Sequence, residues 1–449
     1  MAVHDMTVGD AHHHLLRYAV PLVLGNLFQL AYNAVDSMIA GRFIGRDALA
    51  AEGIAGPLMN LVILGITGLC IGAGVFMSEL FGAKKYKELR QEMATTVLAG
   101  FLFSIAAVLL GIFLMHPILR LMRVPQEIFG ITALYLRIIF LGIPFTFLYN
   151  ALAAALKSVG DADTPLKFLA FSSCLNAVLD LIFIAGLGFG IACSAVTTVV
   201  AEAVSALLSF VWLYKKVPLL RLKRGEFRIY PAYLHQTISY GAMTALQQSI
   251  QPIAKLMIQG AVNGLGVNLI AAYNAVTRID DFAYTPEQSI SHSITTFIAQ
   301  NRGANKPERV RNGFRSGIRL EMLYWVFLFT IVFLSRRFLA SLFVQGEGAE
   351  EIIGIASRYL GIMAFFYLFP GFTNAFQGFF RGVGNMRLTA VCTLIQAGIR
   401  AVFTYLLTPS LGIYGIPLAC ALGWSCMLLY EVPVYFRYWK TAKAMQSSD

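Results

Sequence analysis

Charged side chains are scarce in this sequence. Only 13% of its 449 residues are Asp, Glu, Lys or Arg, about half the share found in soluble globular domains. Hydrophobic residues make up 57%, and apolar stretches of about 20 residues, the length that crosses a hydrocarbon core, recur from Leu15 to Tyr438. The composition excludes a soluble globular protein and predicts a polytopic membrane protein.

Motifs for ATP hydrolysis and for common hydrolytic enzymes are also absent. The sequence contains no G-x-x-x-x-G-K-[ST] phosphate-binding loop, no H-E-x-x-H zinc motif and no plausible Ser/His pairing. Its longest polar interval, about Lys215 to His235, is too short for a soluble catalytic domain. We therefore expect no enzyme activity and no cofactor, and active transport on this chain must draw on an ion gradient.

Cysteine is rare, and the spacing of its six copies excludes the commoner cysteine motifs. No C-x-x-C pair occurs, and every cysteine lies in an apolar stretch. In such surroundings a cysteine behaves as a small hydrophobic residue. The pattern predicts packing rather than metal or redox chemistry.

Positive charges are unevenly distributed between successive connectors. Of 35 Lys and Arg residues, 24 lie in the N-terminal segment, the even-numbered connectors and the C-terminal tail or at the helix ends that border them, while six lie in odd-numbered connectors and five further inside predicted helices. Cytoplasmic loops carry such an excess of Lys and Arg. We therefore expect a multi-pass protein of the inner (cell) membrane with both termini in the cytoplasm. The net charge of +11 then reflects topology and not a nucleic-acid partner.

Length and apolarity predict an all-α integral membrane fold of twelve transmembrane helices. The predicted helices span 15–40, 50–79, 93–116, 128–156, 165–186, 189–214, 237–262, 267–299, 315–335, 351–380, 387–409 and 412–437. The second, fourth, eighth and tenth exceed the length needed to cross a bilayer, which indicates tilt or extension into the cytoplasm.

The two halves of the chain are similar to each other. NALAAALKSVGD from Asn150 aligns with NAFQGFFRGVGN from Asn374 at an offset of 224 residues, and GAKK from Gly82 aligns with GANK from Gly303 at an offset of 221. Six helices per half give both repeats the same orientation, so we predict two six-helix lobes related by a pseudo-twofold axis along the membrane normal. The predicted divisions are an N-lobe at 12–217, a cytoplasmic linker at 218–235 and a C-lobe at 236–440.

Acidic residues near the centres of the first and fifth predicted helices have no acidic counterpart in the other half. Asp36 of the first helix aligns with Met257, and Asp180 of the fifth aligns with Thr404. A carboxylate at the centre of a membrane helix costs about 2.5–3.5 kcal/mol on insertion scales, so the shared fold alone does not explain these acids. Asn176 lies four residues before Asp180 and shares its helix face. We therefore predict a polar site at which the first and fifth helices converge.

The ligand of this predicted site is either Na⁺ or a proton. Carboxylate, amide and hydroxyl oxygens suit a hard cation. Buried neighbouring carboxyl groups also raise each other's pKa values and can share one proton. The sequence leaves both open, together with a purely structural role in which each side chain bonds to a backbone or amide partner.

Four segments carry a resemblance that extends over essentially the whole chain. They are LFQLAYNAVDSMIAGRFIGRDALAAEGIAGP from Leu27, FGAKKYKEL from Phe81, ALKSVGDADTPLK from Ala155 and the Asn176-x-x-x-Asp180 pair. As an ensemble they resemble the MATE (multidrug and toxic compound extrusion) family, and most of all its prokaryotic members with a cation site in the N-lobe. The resemblance implies a secondary active multidrug efflux antiporter that exports organic, often cationic, compounds in exchange for inward Na⁺ or H⁺.

The resemblance also implies roles for individual residues. It assigns cation or proton binding to Asp36, Asn176, Asp180 and Thr198. Tyr32 would line the same cavity, and Pro21 would permit a bend of the first helix that is linked to protonation. Thr197 stands next to Thr198, and either hydroxyl can instead bond to its own helix backbone.

The C-terminal half departs from another branch of the family, which carries acidic residues in the seventh and tenth helices. Here the seventh helix has glutamines, among them Gln251, and the segment FPGFTNAFQGFF of the tenth contains no carboxylate. We therefore do not expect the C-lobe cation site of that branch. Asp280 and Asp281 of the eighth helix either bind substrate or pair with Arg278, which stands two and three residues away.

Flat organic cations would be held by aromatic and polar side chains around a central cavity. The candidate cavity or substrate-binding residues are Tyr32, Met59, Asn60, Tyr149, Asn150, Gln251, Asp280 and Asp281. The expected partners are organic small molecules and the lipid bilayer, and we expect a monomer.

Two other functions compete with this interpretation. A lipid-linked saccharide flippase of the same superfamily would need a large cationic cavity. Arg400, Arg278 and Lys255 in the C-terminal half leave this function open, whereas the acids of the N-terminal half favour the cation-coupled exporter. The other rival is a non-transporting membrane channel or receptor. The internal repeat and the short connectors argue against a receptor.

Overall fold

A computed structural model describes residues 3–344, 346 and 348–446 of the chain. Within this part, the side chains at 33–42, 46–49 and 442–446 lie outside the description. Every secondary-structure element of the described residues is helical, which confirms the prediction of an all-α fold.

The described residues form thirteen α-helices. In chain order they are α1 (Ala11–Phe43), α2 (Arg46–Gly82), α3 (Tyr86–Leu121), α4 (Gln126–Ser158), α5 (Asp163–Asp180), α6 (Ile191–Lys216), α7 (Pro231–Asn263), α8 (Val267–Gly303), α9 (Pro307–Ser341), α10 (Ala349–Phe366), α11 (Leu368–Gly382), α12 (Met386–Leu411) and α13 (Gly415–Gln446). A π-helical turn, Leu181–Gly186, continues α5, and short 3₁₀ turns occupy Pro218–Leu220, Arg224–Glu226 and Gly412–Tyr414. A single residue separates α10 from α11. When these two are counted as one helix, the set corresponds to the twelve predicted helices.

Seven described stretches are long and apolar enough to cross a membrane, or eight when α10 and α11 are counted as one bent span. One of the seven, Met386–Thr441, is 56 residues long and contains α12 and most of α13. Helix α8 falls outside this set, since charged, hydroxyl and amide side chains are spread over its whole length. The multiple apolar spans confirm the prediction of a membrane protein.

The predicted tenth helix, 351–380, is interrupted in the structure. Helix α10 ends at Phe366, α11 begins at Leu368, and the two axes differ by 44°. Pro370 explains the break, because it has no N–H to donate to the carbonyl of Phe366 and its ring would collide with that carbonyl in a continuous helix. In the first turn of α11 the missing N–H has no helical partner to lose.

The chain divides into two compact units. Unit 1 comprises Met1–Val8, Val20–Ala245 and Ala299–Lys306, and unit 2 comprises Gly9–Ala19, Leu246–Ile298 and Pro307–Asp449. Within unit 1, α4 packs against α2, α3 and α6; within unit 2, α12 packs against α13 and α9 against α10. In a bilayer such packing depends on close van der Waals contact between helices, because lipid is as apolar as the side chains themselves.

Two glycines from matching positions of the sequence repeat lie at one helix crossing in unit 1. A Cβ added at Gly82, the last residue of α2, would stand 1.8 Å from the carbonyl oxygen of Gln300. One added at Gly303, the last residue of α8, would stand 1.9 Å from the carbonyl oxygen of Glu79. Each glycine therefore allows one helix backbone to rest directly on the other. We call this contact the glycine crossing.

The connector between α6 and α7 is held against the start of α3. Arg90 Nε and Nη2 donate to the two carboxylate oxygens of Glu226 at 2.8 and 2.9 Å. The backbone N–H of Lys223 donates to the same carboxylate at 3.0 Å, and the N–H of Tyr230 donates to Thr95 Oγ1 at 3.1 Å. These bonds tie the predicted cytoplasmic linker to unit 1.

Replacing Glu226 by glutamine should loosen this connector. The Arg90 side chain, which hydrogen-bonds the carboxylate, holds the pKa of Glu226 below its ordinary value. The pair therefore contributes stability above the ordinary pKa of glutamate and loses it as the pH falls through the lowered pKa. Hydrogen–deuterium exchange at neutral pH should be faster in residues 218–230 of the Glu226→Gln variant than in the wild type. The exchange rate of the wild type should approach that of the variant only at acid pH.

A matched control is Glu88→Gln on the same helix as Arg90. Glu88 makes an exposed ion pair with Lys85 at 3.5 Å, a class of pair that contributes little. Equal exchange in the wild type and both variants would contradict the role given to Glu226.

Candidate functional site

Asn176 and Asp180 lie on one face of α5, buried inside unit 1. Each side chain is 1% exposed, and the four-residue spacing sets them one helical turn apart. Helix α5 ends at Asp180 and continues as the π-helical turn. Such turns change the register of the residues that follow and are frequent at functional sites.

Hydrogen bonds connect this pair to α1 and α6. Tyr32 Oη on α1 donates to Asn176 Oδ1, and the Thr197 hydroxyl on α6 is hydrogen-bonded to Asp180 Oδ1. The amide nitrogen of Asn176 is buried and has no hydrogen-bond partner among the described residues. The four side chains Tyr32, Asn176, Asp180 and Thr197 are called the α5 polar site below.

The Thr197 hydroxyl has two neighbouring acceptors but only one proton. Besides Asp180 Oδ1 it lies 2.8 Å from the carbonyl oxygen of Ser194, the bond that threonine ordinarily makes to its own helix. When the hydroxyl donates to Ser194, its contact with Asp180 is a hydrogen bond only if the carboxyl group is protonated and donates. The geometry therefore accommodates a proton on Asp180 Oδ1.

Thr198, the oxygen ligand implied by the resemblance, bonds within its own helix. Its Oγ1 donates to the carbonyl oxygen of Ser194 at 2.9 Å. The hydroxyl that contacts Asp180 belongs to the preceding residue, Thr197. A role for Thr198 in cation binding stays a prediction.

Two further residues implied by the resemblance lie on α1. Pro21 is inside this helix and leaves the carbonyl of Arg17 without its usual helical donor, the ordinary cause of a bend. Asp36 belongs to α1 by its backbone, but its side chain is outside the described residues. The convergence of Asp36 on the α5 polar site therefore stays a prediction.

Besides Tyr32 on α1, the candidate cavity residues of unit 1 lie on α2 and α4. Met59 is partly buried and packs against the apolar core of unit 1, whereas Asn60 is exposed. Tyr149 Oη donates to the carbonyl of Pro165 at 3.0 Å, and Asn150 Nδ2 donates to the backbone one turn earlier at 2.8 Å. These bonds fix the orientation of both polar side chains.

The two acids singled out in unit 2 have different partners. Tyr367 Oη donates to Asp280 Oδ1 at 2.5 Å. Lys255 Nζ on α7 donates to Asp281 Oδ1 at 2.9 Å, and both side chains are exposed. The ion pair that the structure gives Asp281 is thus with Lys255 and not with Arg278, which the sequence offered as a partner. Lys255 reaches Asp281 from the facing helix α7, whereas Arg278, three positions earlier on α8, does not bind this carboxylate.

Gln251 belongs to a polar contact between α7 and α12. Its Nε2 donates to Gln396 Oε1 at 2.9 Å, and Arg400 Nη2 donates to its Oε1 at 3.3 Å. The neighbouring Gln247 donates to Gln377 at 2.8 Å. The glutamines of the seventh helix therefore join helices within unit 2.

A pair of buried acids that the sequence patterns did not single out lies elsewhere in unit 2. Glu287 of α8 is 0% exposed and Glu321 of α9 is 2% exposed. An oxygen of each lies within 4.0 Å of the place where a Cβ on Gly371 of α11 would stand. The available signal was the presence of both acids inside predicted membrane helices, where a carboxylate is costly.

Comparison with known proteins identifies the family. The family model MatE matches residues 21–182 and again 244–406, two stretches of nearly equal length, as the internal repeat predicts. The Probable multidrug resistance protein YpnP of Bacillus subtilis is 28% identical over 453 residues, covering 99% of each chain. The Multidrug export protein MepA of Staphylococcus saprophyticus is 22% identical and covers 90% of this chain and 88% of its own.

Solved structures show the same fold. A structure titled as the outward-facing conformation of a multidrug resistance MATE family transporter of the MOP superfamily has a TM-score of 0.90 at 21% identity and covers 97% of both chains. A MOP superfamily transporter from Pyrococcus furiosus has a TM-score of 0.89 at 20% identity and covers 98% of both. With the repeat, the all-α fold and the two matches to the family model, the chain belongs to the MatE family, the MATE transporters that its motifs resemble.

Proposed function

We propose that this transporter is a secondary active antiporter that exports organic, often cationic, compounds in exchange for inward protons. The observation that carries the choice of ion is the α5 polar site, where Asp180 is buried and hydrogen-bonded to a threonine hydroxyl whose own proton has a backbone acceptor. A proton on the carboxyl group satisfies both contacts. The names of relatives described as multidrug resistance and export proteins support the substrate class.

In this proposal the charge of Asp180 changes during the cycle. A carboxylate inside the membrane favours the conformation in which a cation or proton can neutralise it. A proton entering from outside removes the charge and favours release of the bound compound to the outside. Loss of the proton to the cytoplasm restores the charge of Asp180 and favours binding of the next compound. Proton and compound thus stabilise different conformations, which is the physical content of coupling.

One-for-one exchange removes the electrical penalty of exporting a cation. Expelling a monovalent cation against an inside-negative potential costs about 2.3 kcal/mol per 100 mV. An inward proton carries the same charge in the opposite direction, so the two electrical terms cancel. The remaining driving force is the pH difference, about 1.4 kcal/mol per pH unit for each proton.

The test is transport of a fluorescent organic cation in everted vesicles with Na⁺ and pH gradients imposed separately. An imposed gradient of about one pH unit should support up to a tenfold concentration ratio of the cation, because that gradient supplies about 1.4 kcal/mol per proton. A Na⁺ gradient at constant pH should support none.

Two outcomes would contradict the proposal in different ways. Accumulation driven by Na⁺ alone would make Na⁺ the coupling ion at the α5 polar site. Absence of cation transport together with translocation of a lipid-linked saccharide would favour the flippase function.

We further propose the cellular setting and organisation expected from the sequence. The excess of Lys and Arg in the even-numbered connectors supports an inner-membrane protein with cytoplasmic termini. The repeat supports an N-lobe at 12–217 and a C-lobe at 236–440, and a monomer suffices because each lobe belongs to the same chain. Asp36 and Thr198 are proposed to complete the cation or proton site.

A further inference from the structure

We infer that Glu287 and Glu321 form a proton-binding site in unit 2 that holds one shared proton between their carboxyl groups. This site is separate from the α5 polar site and does not depend on the proposed coupling mechanism. Three observations carry it: the burial of both acids, the common space that an oxygen of each acid borders, and the charges and donors around them.

The two acids come from different helices to a gap left by a glycine. Glu287 on α8 and Glu321 on α9 are 0% and 2% exposed. A Cβ on Gly371, in the first turn of α11, would lie 3.6 Å from Glu321 Oε2 and 4.0 Å from Glu287 Oε1. Both carboxyl groups are therefore directed at the same small space beside α11.

Among the described residues, few hydrogen-bond donors lie around this space. Neither oxygen of Glu321 has a hydrogen-bond partner among the described residues. The Asn374 amide lies beside the Glu287 carboxyl but outside hydrogen-bond geometry. The Tyr324 hydroxyl, on α9, donates instead to the carbonyl of Ala283 at 2.8 Å. Buried ionised carboxylates need such donors, so these two acids are not held as a pair of anions.

Among the described residues, the groups that interact electrostatically with the pair are acids and tyrosines. The acids that interact with Glu287 are Glu321 and Asp280, and the tyrosines that do so are Tyr284, Tyr324 and Tyr367. Asp280 accepts a hydrogen bond from the Tyr367 hydroxyl, so this hydroxyl does not donate to the pair.

The guanidinium of Arg381, also on α11, is hydrogen-bonded to a serine and to neither of the two acids. Its Nη2 donates to Ser291 Oγ at 2.7 Å, one helical turn beyond Glu287, and its Nε is buried with no hydrogen-bond partner among the described residues. Two neighbouring carboxyl groups without a cation share a proton, because they cannot both ionise at close range.

A proton fits this space better than a metal cation. Hard cations take six or more oxygen ligands, whereas the space beside Gly371 is bordered by two carboxyl groups and one amide. In the part of the chain that the structure describes, no three His, Cys, Asp or Glu side chains form a metal-binding group. A proton needs only two oxygens, one to carry it and one to accept from it.

Infrared spectroscopy of the full-length protein in lipid vesicles tests the site directly. The wild type at neutral pH should show a carbonyl-stretch band of a protonated carboxylic acid that shifts in D₂O. The band should change frequency in Glu287→Gln and in Glu321→Gln and disappear in the double variant. A double variant with the wild-type spectrum would overturn the proposal.

A matched control is Glu92→Gln in α3. Glu92 is also 0% exposed, but its Oε1 accepts from Thr96 at 3.0 Å and Thr237 at 2.6 Å. This substitution should leave the band of the pair unchanged, and loss of the same band would overturn the assignment.

Thermal stability provides a second readout that does not rely on transport. If the folded protein retains a proton that the unfolded chain releases, stability falls as the pH rises. The melting temperature of the wild type should therefore decline from mildly acid to mildly alkaline pH, and the melting temperature of the double variant should decline less over the same range. A rise in melting temperature with NaCl but not choline chloride, lost in the double variant, would overturn the proton in favour of a Na⁺ site.

Discussion

Replacing Asp180 by asparagine should abolish proton-driven accumulation of an organic cation while leaving the protein folded. Asparagine keeps the size of the side chain and can hydrogen-bond to the Thr197 hydroxyl, but it carries no titratable proton. With about one pH unit imposed, the concentration ratio should fall from about tenfold to about one, because the energy of the gradient, about 1.4 kcal/mol per proton, is no longer coupled to the compound. The measurement is steady-state accumulation in everted vesicles.

A matched substitution on the same helix separates coupling from folding. Asp163 lies in the first turn of α5, where its exposed carboxylate is 3.8 Å from Lys167. Asp163→Asn removes the same charge from α5 at the helix end and should retain the full ratio. Coupled accumulation by a folded Asp180→Asn protein would refute the assignment of the proton to Asp180.

Asp36→Asn and Thr197→Val extend the same experiment. Asp36 is proposed to share the site, so its substitution should reduce the ratio in the manner of Asp180→Asn. Thr197→Val removes a hydrogen bond but no titratable group, so coupling should persist with an altered pH dependence. Loss of coupling in Thr197→Val, together with retained coupling in Asp180→Asn, would make the hydroxyl, and not the carboxyl, the essential group.

Substituting either glycine of the glycine crossing by alanine should strongly destabilise the protein. The added Cβ would stand 1.8 Å from a carbonyl oxygen at Gly82 and 1.9 Å at Gly303, and a backbone atom cannot turn aside as a side chain can. Overpacking of this kind costs about 3 kcal/mol. The melting temperature of the purified protein in detergent should fall by several degrees in either variant.

Gly65→Ala is the matched control for this prediction. Gly65 lies in α2 as Gly82 does, but nothing stands within 4 Å of the position of its added Cβ. Alanine is the better helix former by about 1 kcal/mol, so this variant should be as stable as the wild type or more so. The loss of stability in the double variant at Gly82 and Gly303 should be smaller than the sum of the losses in the two single variants, since both substitutions disrupt one contact. Unchanged melting temperatures in both single variants would show that the two helix ends do not rest on each other.

Much of the fold and part of the candidate site followed from local patterns. The scarcity of charge identified a membrane protein, and the repeat offset anticipated the two matches to the family model. The pairing of Asn176 with Asp180 on one face followed from helical periodicity, which depends only on residues close in the chain. The break at Tyr367 also had a local cause, Pro370, but was not anticipated because proline is tolerated inside many membrane helices.

Other features depended on how helices rotate and cross, which local periodicity does not specify. Thr197 and Thr198 have the same chemistry and adjacent positions, and the rotation of α6 decides which hydroxyl meets Asp180. Glu287 and Glu321 are 34 positions apart and meet because α8, α9 and α11 pack around Gly371. The sequence alone determined the membrane class, the repeat and which side chains share a helix face. Only tertiary packing decided which faces meet, because contacts between helices are set by the shapes and distances of residues far apart in the chain.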